Sequence, residues 1–83
     1  MTERDIRQAI AKALRRVAPE ANLEELSSDE NIREALDIDS FDYLNVLIAL
    51  NEELGVEIPE KDYSRLATLA DLVRYLSTHA PQQ

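Results

Sequence analysis

The chain has 83 residues, enough for one small domain that buries only about 60% of its unfolded surface, which argues against a deep catalytic cleft between layers. Nine basic against seventeen acidic side chains give a net charge of −8, which disfavours nucleic acid and anionic membrane surfaces as partners. The absence of cysteine excludes disulfides, a thiolate nucleophile and thiolate-bound metal.

The charge is unevenly placed. Residues 1–18 carry five basic and two acidic side chains, or +3, whereas residues 19–83 carry four basic and fifteen acidic ones, or −11. A partner of the second part should therefore be basic. No apolar stretch approaches the roughly 20 residues of a membrane span, and MTERDIRQ lacks a signal-peptide core. The expectation is a soluble, cytoplasmic, monomeric domain over residues 1–83, fraying at 79–83.

One glycine, three prolines and few β-branched runs predict helices. Thr2 and Asp5 have the spacing of a capping box. Behind them Ile6, Ile10, Ala13, Leu14 and Val17 recur at helical intervals until Pro19 ends the first helix. Residues 19–39 read as a long polar loop anchored by Leu23, Leu26, Ile32 and Leu36, with a short helical turn expected within Ser28–Ala35. Loops this long are often functional.

The next helix is predicted over Ser40–Leu54, with Gly55 in the left-handed position after it. At about 100° per residue, Phe41, Leu44, Leu47, Ile48, Leu50 and Leu54 share a broad apolar arc, leaving Asp42, Asn45, Ala49, Glu52 and Glu53 for solvent. An arc this wide marks the central helix. Pro59 suits the start of a short turn at residues 60–65. Thr68 and Asp71 then open a last helix whose apolar face is Leu69, Leu72, Val73 and Leu76. The fold expected is all-α, a four-helix bundle with a long first loop and a short third helix.

Hydrolytic chemistry finds little support. Ser40 would need a base within reach, and the single histidine, His79, lies near the end, where a solvated, frayed side chain is expected. One glycine cannot build a phosphate-cradling loop. DIDSFD superficially suggests a calcium loop, but from Asp37 the required positions hold Phe41, Asp42 and Ile48, so the spacing fails. No metal is expected. A serine flanked by aspartates at a helix start is, by position alone, an ordinary cap.

The stretch LDIDSFDYLNVLIALNEELGVEIPE, residues 36–60, resembles the acyl carrier protein family. The family's hallmark is a D-S-[LM] motif opening a central acidic helix that is followed by "xxIP". Asp39, Ser40 and Phe41 match the motif, followed by Leu44, Leu47, Ala49, Leu50, Glu52, Glu53, Ile58 and Pro59. The resemblance extends over residues 3–78. It implies that Ser40 is esterified with 4′-phosphopantetheine, transferred from coenzyme A by a separate phosphopantetheinyl transferase. The arm's thiol would hold cargo as a thioester, so the missing base and the missing cysteine both fit. The protein would then be a carrier rather than an enzyme.

The resemblance also implies a division of roles. Asp39 and Phe41 would flank the cofactor at Ser40. Asp37, Asp39, Asp42, Tyr43, Leu44, Asn45, Ile48 and Glu52 would meet partner enzymes with basic docking surfaces, the acids steering them towards the serine. Phe41, Leu44, Leu47, Ile48, Tyr63, Leu66 and Leu69 would wall an acyl-chain cavity. Tyr43 could equally be a core aromatic, and Asn51 either a buried tie to the long loop or a gap at the rim. Phe41 replaces the usual leucine or methionine, Asp37 stands where glycine is common, and Asn45 and Asn51 replace frequently acidic residues. These departures suggest a specialised lipid or secondary-metabolite pathway, fatty-acyl or polyketide. The alternatives are an unmodified acidic interaction module and an aminoacyl carrier of the peptidyl or D-alanyl type.

Overall fold

The computed structural model describes residues 2–79. Its helices are α1 (Glu3–Val17), α2 (Ile32–Leu36), α3 (Ser40–Leu54) and α4 (Leu69–His79), with 3₁₀ segments at Leu23–Glu25 and Glu60–Arg65. Among the described residues there is no strand, only an isolated antiparallel bridge between Asn31 and Thr68. The all-α bundle expected from the sequence is observed, its short third helix being the 3₁₀ segment Glu60–Arg65.

Local chemistry accounts for the helix ends. Thr2 Oγ1 accepts from the Asp5 N–H at 3.1 Å and Asp5 Oδ2 accepts from the Thr2 N–H at 3.2 Å, completing the reciprocal cap of α1. That pairing holds the Asp5 carboxyl below its usual range. Gly55, at φ 66°, ends α3 in the left-handed region, its N–H donating to the Asn51 carbonyl at 2.9 Å. Thr68 Oγ1 accepts from the Asp71 N–H at 3.1 Å as α4 begins.

The core joins Ile6, Ile10 and Leu14 of α1 to Val46, Leu47 and Leu50 of α3 and to Leu69, Leu72 and Leu76 of α4. α3 packs chiefly on α1. Of the anchors in the long loop, Ile32 is fully buried, while Leu23, Leu26 and Leu36 pack partly against the core. The expected helical turn is present but lies slightly later, because Asn31 caps it by accepting from the Glu34 N–H at 3.1 Å. Two further bonds fasten this loop to the start of α4: Ile32 N–H to Ala67 O, 2.8 Å, and Ala70 N–H to Ser28 O, 2.9 Å.

The orientation of α3 corrects the sequence reading. Its buried residues are Tyr43, Val46, Leu47, Leu50 and Leu54, whereas Phe41 is 68% exposed and Ile48 43% exposed. The buried stripe is thus rotated by roughly 80° from the predicted arc, whose centre lies between Leu44 and Leu47. Apolar side chains surround most of this helix, so its own pattern does not select the side that meets α1. Asn51 is half-buried and belongs to the rim.

His79 is exposed as expected, but it is part of a helix rather than frayed. It is the last residue of α4, its ring stacked on Tyr75 with centroids 4.1 Å apart, and its Nδ1–H donates to the Tyr75 carbonyl at 2.9 Å. Residues 80–83 of the expected tail lie outside the described residues.

Candidate functional site at the start of α3

The short α2 meets the long α3 at a tight corner. Asp37 ends α2 at φ 54° and ψ 47°, and the Ile38 N–H returns to the Arg33 carbonyl at 3.0 Å. This is the left-handed position in which glycine costs least, so the aspartate replaces glycine where backbone freedom matters most. Asp39 then caps α3, its Oδ1 accepting from the Asp42 N–H at 2.8 Å. The cap is therefore Asp39, and Ser40 is the first helical residue.

Ser40 is exposed, and its hydroxyl stands where the first-turn N–H groups concentrate partial positive charge. A phosphate ester fits here. The position favours an anion by about 0.3–1 kcal/mol. Asp37 and Asp39 are exposed and Asp42 half-buried around it, a repulsion softened by screening over about 8 Å.

A groove of about 340 Å³ opens beside the serine, lined by Asn31, Arg33, Ser40, Tyr43, Leu44, Leu47, Tyr63, Ser64 and Ala67. A depression of about 520 Å³ between the end of α1 and residues 35–42, and one of about 380 Å³ beside α1, do not include Ser40. The groove's floor is tied by Tyr43, whose hydroxyl donates to the Leu66 carbonyl and links α3 to the end of the 3₁₀ segment. Burial pushes this hydroxyl well above the usual tyrosine range, with Arg33 opposing the shift and Asp71 adding to it.

The structure sorts the residues expected at the site. Leu44, Leu47 and Tyr63 line the groove. Leu66 and Leu69, each 1% exposed, belong to the packed core. Phe41 and Ile48 are corrected as cavity walls: they project from the outer side of α3, because the helix turns Tyr43, Val46 and Leu50 inward. Tyr43 is corrected as a partner contact, since only 5% of it is exposed. The outer side instead presents Phe41, Leu44, Asn45, Ile48 and Glu52 at successive helical turns, leading away from Ser40. Sequence reasoning passed over Arg33, Asn31 and Ser64; their polarity offered no periodic signal, and only the corner at Asp37 brings α2 to the groove.

The chain matches the family described as a phosphopantetheine attachment site over residues 4–76. It is 32% identical over 75 residues to an acyl carrier protein of Wolinella succinogenes, covering 90% of this chain and 92% of that protein. The chain belongs to the acyl carrier protein family. A Clostridium perfringens acyl carrier protein is 34% identical over 58 residues, covering 70% of this chain and 76% of the relative. The mitochondrial acyl carrier protein of Saccharomyces cerevisiae is 30% identical over 70 residues, covering 84% and 56% respectively. The cofactor of this carrier is covalently attached 4′-phosphopantetheine. Among the described residues, no helix is long and apolar enough to cross a membrane.

Proposed function

We propose that Ser40 is the attachment residue and that the protein presents acyl thioesters to partner enzymes without catalysing their chemistry. The observation that carries this reading is the exposed serine at the first position of α3, beside an amphiphilic groove and within the D-S-F-D sequence. In the modification, Ser40 Oγ would bond to the pantetheine-side phosphorus of coenzyme A. The pyrophosphate link would break, the adenylate portion would leave, and the serine proton would pass to a base of the transferase. The attached thiol supplies the thioester linkage. The carrier's own residues position the hydroxyl, orient the complex and shelter what the arm carries.

Phosphopantetheinyl transferase and acyl-handling enzymes are the proposed partners. Their basic surfaces would meet Asp37, Asp39 and Asp42, and their apolar contacts would meet Phe41, Leu44 and Ile48, flanked by Asn45 and Glu52. An apolar strip rimmed by acids is the usual form of a docking surface. Phe41 and the replacement of acids by Asn45 and Asn51 support a dedicated lipid or secondary-metabolite pathway. The proposed location is a cytoplasmic compartment that contains coenzyme A.

Intact-mass measurement after incubation with a transferase and coenzyme A tests the reading. Wild type gains one arm, while Ser40→Ala keeps its helical content and gains none. Persistent modification of Ser40→Ala would transfer the site to another of the exposed serines Ser27, Ser28, Ser64 or Ser77.

A further inference from the structure

Arg33 is the only basic residue between Arg16 and Lys61, and neither the fold nor the docking strip uses its charge. It is exposed, and among the described residues no carboxylate lies within 4.0 Å of its guanidinium. The corner at Asp37 brings it to the groove that contains Ser40. It lines that groove together with Tyr43, Leu44 and Tyr63.

The lining is chemically divided. Asn31 and Arg33 provide polar groups, while Leu44, Leu47 and Tyr63 provide apolar surface. An aliphatic chain makes no use of a guanidinium. The phosphopantetheine arm has both characters: a phosphodiester at Ser40, then a dimethyl-substituted carbon, a hydroxyl and two amides. We propose that Arg33 is a positioning residue that pairs with the phosphodiester on Ser40 and biases the arm into this groove. The inference rests on attachment at Ser40. Guanidinium groups suit phosphate oxygens, which they bind through two parallel N–H donors. One cation among Asp37, Asp39 and Asp42 also offsets the repulsion between those acids and the arm. The acids remain free to steer incoming enzymes.

The test uses wild type, Arg33→Gln and Arg33→Lys, each loaded from coenzyme A labelled in its pantetheine portion and checked by intact mass. In loaded wild type, nuclear Overhauser contacts should run from the arm's methyls to Leu44, Leu47 or Tyr63. The Arg33 Nε–H resonance should shift on loading, and both effects should weaken at high salt. Exposed ion pairs bias populations modestly, so contact intensity should fall on the order of twofold to fivefold in Arg33→Gln and recover partly in Arg33→Lys. Equal contact intensity and equal phosphorus shifts in loaded wild type and Arg33→Gln would overturn the role of Arg33 alone. Failure of wild type to gain mass would overturn attachment at Ser40 and this inference together.

Discussion

Tyr43→Phe isolates a buried side-chain link beneath the groove. The ring is 5% exposed and its hydroxyl donates to the Leu66 carbonyl, so the substitution keeps the packing and removes the donor. A buried hydrogen bond contributes about 0.5–1.5 kcal/mol, and an abandoned buried acceptor costs about 1–3 kcal/mol; a loss of about 1–2 kcal/mol at pH 7 follows. For a domain of this size, each kcal/mol lowers Tm by about 4–8 °C.

The difference should then shrink in alkali. The folded-state pKa of Tyr43 lies above the ordinary 10.0, mainly because of burial. Its contribution is complete below pH 10 and declines as pH rises through that value towards the folded pKa, because the unfolded chain releases the proton first. At pH 11 wild type should have lost about 1.4 kcal/mol from this group, a loss that Tyr43→Phe cannot suffer. Urea titrations followed by circular dichroism at pH 7 and pH 11 would read both values. A variant as stable as wild type at pH 7, or a stability gap unchanged at pH 11, would refute the account of Tyr43 as a buried donor.

Asp37→Gly should raise stability by about 0.5–1 kcal/mol in the same titration, because relief of left-handed strain outweighs the added freedom of the unfolded chain. Changing Asp39 and Asp42 together to asparagine should slow arm transfer at low salt, with the slowing diminished at high salt. Because asparagine also caps helices, the melting temperature should stay within a few degrees of wild type. An octanoyl chain should raise the melting temperature above that of the unacylated carrier, since each buried methylene contributes about 0.8 kcal/mol. Opening the packed side chains behind Leu44 and Leu47 offsets part of this gain. Differential scanning calorimetry of the two forms, with chemical shifts at Leu47, decides whether the chain enters the groove.

What could be read from the chain alone was local. Thr2 with Asp5, Pro19, Gly55 and Thr68 mark helix boundaries because caps and breakers act within a few residues of themselves. The D-S-F-D sequence points to Ser40 as the proposed attachment residue through its resemblance to the family motif, since by position alone a serine at a helix start is an ordinary cap. The amphipathic α1 and α4 also disclosed their buried sides, since each has one apolar stripe opposite a polar one. α3 did not. With Phe41, Ile48, Leu44, Leu47, Tyr43, Leu50 and Val46 together covering more than half of its circumference, several rotations bury similar apolar area, and packing against α1 decided the outcome. That choice sent Tyr43 and Val46 inward and left Phe41 and Ile48 in solvent. The groove, too, needed three dimensions: Asn31 and Arg33 share it with Ser40 through the turn at Asp37, and Tyr63 joins it from beyond Pro59. Contacts between segments distant in sequence have no period to reveal them, and only the folded chain brings them together.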